Sequence, residues 1–506
     1  MTKTRTPGAT GPTDRVGTGI RGLDEVLEGG YVPGDAYLIR GPPGSGKTIL
    51  GWHFLTAEDA DSSLYISFEE HASKIERNAR ALGMDLDGVT IVDLAPDSDS
   101  LEGEGYAIFQ ATEVERGTRS AAIRDLVADH EPDRVFLDPV HNLRQLTDDV
   151  FEFRTQLLAL LRFLQESGAT VLYTSQPSPA NPDDDLQFMS DGILELGQEN
   201  ERTIRAMKIR GSDFRRGRHT VRIAPGGLTV VPRIVDYGTG VAFTGEYCSS
   251  GVPDLDELLR GGLPRGTTTI ISGPTGVGKT TAGSLFLTEA ASRGEHALLY
   301  HFEESTSTFR ARCEAINIPV AELEERGTLQ MSTIEATVTT AGEFTGRVLE
   351  DLTPETSIVM IDGLPGYARM DSVEARAGGD DDGFERLHAL TMGLKSRGIT
   401  VILTDEMPNI TGEFQVTGHE QSYLADNIVF MRYLELDGEI RRAIGVLKMR
   451  TGPFERRLRE FDITAYGVKV GTPLTMLRGI LSGTPERVEP DGSGSTRDGI
   501  PEPDSS

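Results

Sequence analysis

One stretch limits what this chain can fold into more than any other: Gly41-Pro42-Pro43-Gly44-Ser45-Gly46-Lys47-Thr48. It satisfies the phosphate-loop pattern GxxxxGK[ST] at every constrained position. Ala36 to Arg40 before it reads as a short buried strand, and Ile49 to Leu55 after it begins a helical run. A strand delivers the loop, and a helix N-terminus comes directly after it. Successive backbone N–H groups, those of Ser45 and Gly46 among them, and the positive end of the helix dipole then face an anion. Gly41, Gly44 and Gly46 let the backbone close around it with no Cβ in the way. In this pattern Lys47 reaches the β- and γ-phosphates and Thr48 holds Mg²⁺. The chain repeats the device at Gly273-Pro274-Thr275-Gly276-Val277-Gly278-Lys279-Thr280.

The repetition extends well beyond the loops. Gly17 to Gly34 and Ser249 to Gly266 share one design: a short helix, a Gly-Gly stop, then a Pro-Gly or Pro-x-Gly turn into a strand. After each loop comes an apolar strand ending in a carboxylate pair, Glu69-Glu70 and Glu303-Glu304. Next come apolar runs ending in Asp138 and Asp362, then Thr170 to Gln176 matching Thr400 to Glu406. Lys208-Ile209-Arg210 and Lys448-Met449-Arg450 close the series. Landmarks in one order at nearly constant offset mark a duplication of whole domains. Strands alternating with helical stretches predict α/β domains, each a mainly parallel twisted sheet flanked by helices. The expected boundaries are a disordered lead-in over 1–14, domains over 15–240 and 245–485, and a disordered acidic tail over 486–506.

Composition narrows the setting. The formal net charge is −29, from 79 acidic against 50 basic residues, and the acid is spread along the chain. That pattern reads as a heavily hydrated surface suited to a salt-rich cytoplasm, and it opposes non-specific binding to nucleic acid. Only Cys248 and Cys313 occur, so neither a disulfide framework nor a Cys-based zinc site is expected. The polar first residues predict no signal peptide, and no apolar run approaches the ~20 residues of a membrane span. A cytoplasmic location without a membrane is expected.

The landmarks carry chemistry. A carboxylate closing a buried strand beside a phosphate loop, as Asp138 and Asp362 do, is placed to hold the water shell of Mg²⁺. A carboxylate ending a neighbouring strand orients and deprotonates the attacking water, the role open to Glu69, Glu70, Glu303 and Glu304. Lys208 with Arg210, and Lys448 with Arg450, stand two apart on late strands. From spacing they suit either a solvated strand face or a cationic finger aimed at a neighbouring subunit's nucleotide.

Taken together, the Gly-Gly-Leu-Pro lead-in, the loops, the Phe-Glu-Glu pairs, the strand aspartates and the Lys-x-Arg segments resemble the KaiC family of tandem RecA-like P-loop NTPase domains, over about 15–485. The resemblance implies a homo-hexamer that binds ATP and Mg²⁺ between neighbouring subunits and hydrolyses ATP. Gly44 to Thr48 and Gly276 to Thr280 would bind nucleotide, and Glu69 and Glu303 would lead each catalytic pair. The Lys-x-Arg residues would contact nucleotide across the interface. Clock members also phosphorylate an adjacent Ser-Thr pair in the second domain. Counted back from Asp426, the Ser position falls on Ser422 and the Thr position on Tyr423, so one acceptor is kept and one replaced. Phe214 and Phe454 stand where a polar or imidazole side chain is expected. The resemblance thus implies an ATP-hydrolysing, ring-forming regulatory protein, with any serine autokinase and autophosphatase activity in the second domain. Protein partners are expected but carry no sequence signature. Two readings compete: a RecA/RadA-type protein acting on DNA, and a nucleotide-dependent binding scaffold with little turnover, which the Glu pairs disfavour. Against the first, the segment Asn181-Pro182-Asp183-Asp184-Asp185, which lies where such proteins hold DNA, has no basic residue.

Overall fold

The computed structural model describes residues 15–94, 124–141, 150–178, 182–198, 201–234, 243–375, 383–407, 423–436, 438–475, 477–478 and 486–487. Two compact units divide the chain, with the main boundary between Val235 and Asp236.

The first unit is built on a nine-stranded sheet of β1 (Ala36–Arg40), β2 (Ser63–Ser67), β3 (Val89–Asp93), β4 (Arg134–Asp138), β5 (Thr170–Ser175), β6 (Gly192–Gln198), β7 (Arg202–Ile209), β8 (His219–Ala224) and β9 (Gly227–Val231). Its order is β3-β2-β4-β5-β1-β6-β7-β8-β9. The first six are parallel and the last three run antiparallel, a meander added to one side. The parallel strands are apolar without alternation because both faces are covered. Tyr37, Ile39, Tyr65, Phe136 and Leu172 pack on one face against Leu50, Phe54 and Ile75. Leu38, Leu64, Ile66, Val135 and Leu137 pack on the other against Phe153, Leu157 and Leu161 of the helix Val150–Glu166.

In the second unit a short ribbon, β10 (Tyr247–Cys248) with β11 (Leu263–Pro264), precedes a second nine-stranded sheet. Its strands are β12 (Thr268–Gly273), β13 (His296–His301), β14 (Leu329–Thr333), β15 (Thr356–Asp362), β16 (Thr400–Glu406), β17 (Asn427–Leu436), β18 (Glu439–Met449), β19 (Arg459–Thr464) and β20 (Gly467–Pro473). The order β14-β13-β15-β16-β12-β17-β18-β19-β20 repeats that of the first sheet strand for strand. The fold is a pair of RecA-like α/β units, as the alternation of strands and helices predicts. The antiparallel meanders are not foreseen by that alternation. Glu486–Arg487, expected at the head of a disordered tail, instead pair with Leu477–Arg478.

Two local devices recur. Asp24 accepts a hydrogen bond from the Thr18 N–H (2.8 Å) and Asp256 one from the Ser250 N–H (2.8 Å), closing the turn before the lead-in helices Arg21–Val26 and Pro253–Leu258. In the late hairpins the pairing register slips by one residue between Ile193 and Leu194 and again between Ile428 and Val429. The residues extruded opposite, Met207 and Leu447, are exposed. Such bulges bend a strand and re-aim the side chains beyond them. Here the next residues along the strands are Lys208 and Lys448.

Candidate active sites

Each phosphate loop sits between the first strand of its sheet and a helix, Lys47–Leu55 or Lys279–Ser292. Gly46 and Gly278 precede these helices at φ of 103° and 111°, a backbone conformation that glycine alone adopts at little cost. Gly41 and Gly273 are required for another reason. A Cβ on either would lie 2.5 Å from the Leu196 carbonyl or 2.6 Å from that of Met431. Ser45 and Val277 are buried inside their loops, and Gly44 and Gly276 turn with φ of 73° and 75°.

The lysines lie across the loops. Lys47 Nζ donates to the Gly41 and Pro42 carbonyls (2.8 and 2.9 Å), and Lys279 Nζ to those of Gly273 and Pro274 (2.9 and 3.0 Å). Burial lowers the pKa of both. Asp138 opposes the shift at Lys47, and Glu406 then Asp362 and Glu303 oppose it at Lys279.

Beside each lysine the loop threonine meets the strand aspartate. Thr48 Oγ1 donates to Asp138 Oδ2 (2.7 Å) and Thr280 Oγ1 to Asp362 Oδ1 (2.9 Å). A second threonine one strand away, Thr174 or Thr404, donates to the same carboxylate. A hydroxyl and a carboxylate held together in this way are hard oxygen donors, the set that suits Mg²⁺ alongside phosphate oxygens. The remaining partner differs between units. Asp138 accepts from the Tyr65 hydroxyl (3.2 Å), and Asp362 lies 3.0 Å from Nδ1 of the fully buried His301. Burial raises the Asp138 pKa against its three hydroxyl bonds. At Asp362 burial acts the same way, but the contact with His301 and the bonds from Thr404 and Thr280 outweigh it and the pKa falls.

The carboxylate pairs are split by their partners. Glu70 bonds Lys74 (2.5 Å), and Glu304 takes a two-pronged contact from Arg312, which also donates to Thr281 on the loop helix (2.8 Å). The leading residues point elsewhere. The field of Glu69 reaches His141, which also senses Asp138 and Lys47. Glu303 faces Glu406, Asp362 and Lys279, and its pKa is raised by burial and then by the first two of these charges.

The Lys-x-Arg residues do not join their own loop. Lys208 Nζ donates to the Ser190 carbonyl (2.6 Å) and Lys448 Nζ to that of Ala425 (2.7 Å). Arg210 pairs with Asp191 (2.9 Å) and Arg450 with Asp426 (3.7 Å). Asp191 and Asp426 are tied by backbone hydrogen bonds to Ala36 and Thr268, the first residues of β1 and β12. The loops leave the other ends of those strands, four or five residues and roughly 13–17 Å away.

The family model described as "ATPase: KaiC" matches residues 16–234 and again 248–475, the two units that carry these loops. The chain belongs to the KaiC ATPase family. It is 28% identical to the circadian clock oscillator protein KaiC of Parasynechococcus marenigrum (strain WH8102), with 96% of each chain covered. The KaiC of Thermostichus vulcanus is 29% identical, over 94% of this chain and 93% of its own. A relative of another name, the circadian clock protein KaiC3 of Synechocystis sp. (strain ATCC 27184 / PCC 6803 / Kazusa), is 27% identical over 93% of this chain and 94% of its own.

Several residues around these KaiC-type loops escape sequence reasoning. Thr174 and Thr404 are within its reach, because they occupy matching places in the repeat. Tyr65, His301, His141 and Arg312 are not, because their counterparts Leu299, Ser67, Pro365 and Asn78 are different residue types and leave no repeat to read. Ser422 and the segments 143–149, 179–181, 376–382 and 408–420 lie outside the described residues. Tyr423, its neighbour, is described and half exposed, with its ring 5.3 Å from that of His388. Phe214 and Phe454 pack at the margins of their cores. Among the described residues no helix is long and apolar enough to cross a membrane.

Proposed function

We propose that both loops bind MgATP and that both units hydrolyse it. The observation that carries this reading is the contact of loop threonine with strand aspartate, made in both units beside a loop lysine. Gly41 to Thr48 and Gly273 to Thr280 cradle the phosphates, and Lys47 and Lys279 turn from their own carbonyls to the terminal phosphates. Thr48 with Asp138, and Thr280 with Asp362, hold Mg²⁺, which supplies charge neutralisation on the phosphate oxygens. Glu69 and Glu303 orient the attacking water and take its proton, while Lys74 and Arg312 keep Glu70 and Glu304 turned aside as supports.

Placement of the Lys-x-Arg residues at the far ends of β1 and β12 supports a role in trans. A ring, a homo-hexamer in our reading, brings Lys208 with Arg210, and Lys448 with Arg450, to the loop of the next subunit. The clock proteins among the relatives support a regulatory output, read by protein partners, with serine autokinase activity at Ser422 in the second unit.

Phosphate release from ATP with Mg²⁺ tests the reading. Lys47→Ala and Lys279→Ala should each remove part of the rate, and both together nearly all. An unchanged rate in the double variant overturns it. Mass mapping after prolonged incubation with ATP tests the kinase element separately: phosphate on Ser422 supports it and an unmodified chain removes it.

A further inference from the structure

The two loops differ at one coupled place. In the first, the third loop residue is Pro43 and β5 leads into Gln176; in the second these are Thr275 and Glu406. Glu406 ends β16 directly beside β12, paired in register with Gly273 where the loop begins. The Met407 N–H donates to the Gly273 carbonyl (3.1 Å) and fixes that approach. From there the Glu406 carboxylate accepts a hydrogen bond from the Thr275 hydroxyl. Pro43 has no hydroxyl to make such a bond, and Gln176 carries no charge.

Of the charges acting on Lys279, that of Glu406 is the strongest, and it is again the strongest acting on Glu303. Its charge thus acts both on the lysine that reaches the β- and γ-phosphates and on the carboxylate assigned to the attacking water. A fixed negative charge there repels the group that distinguishes ATP from ADP. Arg312 is committed to Glu304 and Thr281.

We propose that Glu406 sets the nucleotide preference of the second loop, shifting it toward ADP relative to the first loop, where Gln176 stands. This rests on reading the loop as a nucleotide site. Thr275 holds the carboxylate over the loop mouth, and the charge makes the discrimination. The second unit then keeps product and exchanges it for ATP less readily than the first. The same sequence thereby gives its two loops different responses to the ATP/ADP ratio.

The test uses the full chain with the first loop silenced by Lys47→Ala and Thr48→Ala. A fluorescent N-methylanthraniloyl-ADP probe is displaced by ADP and by the β,γ-imido analogue of ATP, both with Mg²⁺. Glu406→Gln should improve the analogue's affinity relative to ADP about tenfold, a scale set by one unit charge several Å away in a half-exposed site. Thr275→Val, which keeps the charge but releases its hold, should shift the ratio the same way by a smaller factor than Glu406→Gln. The reciprocal Gln176→Glu, with the second loop silenced instead, should shift the first loop about tenfold the other way. An unchanged ratio in both Glu406→Gln and Gln176→Glu, or a larger shift in Thr275→Val than in Glu406→Gln, overturns the inference. Failure of the probe to bind the silenced parent at all overturns the nucleotide reading beneath it.

Discussion

At the residue scale, one buried cation shows how a side chain ties separate segments together. Arg134 is fully buried at the start of β4. It donates to the Gly17 and Phe54 carbonyls (2.6 and 2.8 Å) and to Asp59 (2.5 Å), tying the lead-in to the end of the loop helix. Arg134→Met leaves two carbonyls unpaired, each costing about 1–3 kcal/mol. The first unit should lose about 3 kcal/mol, read as an earlier urea midpoint. Asp405 behaves oppositely. Burial raises its pKa to about 6, so the folded state binds a proton more tightly than the unfolded chain. Its contribution favours folding as pH falls from about 6 toward 4 and turns against folding as pH rises through 6. Asp405→Asn should therefore stabilise the second unit at pH 7.5, by at most about 3 kcal/mol, and flatten the change in stability between about pH 4 and 6. Denaturant melts across that range check both the sign and the window.

At the scale of elements, the parallel cores were legible because a strand buried on both faces must be apolar throughout, and a phosphate loop admits one order of strand, loop and helix. Ala36–Arg40 and Thr400–Glu406 fall where the apolar runs place them. The antiparallel meanders were not legible. Strands such as Arg202–Ile209 carry charges on both faces, at Arg202 and Arg205, and nothing local says which neighbour they pair with. The site divides in the same way. Residues set by phosphate geometry recur in both halves and could be read, whereas Tyr65 and His301 solve one packing problem with unrelated side chains. The bulges at Met207 and Leu447 were invisible, since a slipped register leaves no local mark in sequence. They carry an expected outcome: Arg210→Ala and Arg450→Ala should lower ATP turnover by about tenfold or more, yet leave the urea midpoints within about 0.5 kcal/mol of the parent. The ion pairs they break, with Asp191 and Asp426, lie with their guanidinium groups exposed and are worth little to the fold.

At the scale of the whole molecule, a net charge of −29 spread over the chain makes self-repulsion a standing cost of the compact state. Raising KCl from about 0.1 M to about 2 M shortens the screening length from ~10 Å to below ~3 Å, and the melting temperature should rise by more than about 5 °C. Equimolar sucrose controls for general exclusion effects, and a smaller rise in sucrose identifies screening as the cause. The duplicated architecture sets the central question, which is whether two matched loops, each with its own leading carboxylate, are two working ATPases. Steady-state phosphate release answers it most directly, comparing the parent with Glu69→Gln, Glu303→Gln and the double variant at saturating MgATP. Each single change should remove a distinct share of the rate, and the double should fall about 100-fold or more. A double variant that keeps the parent rate would contradict the account.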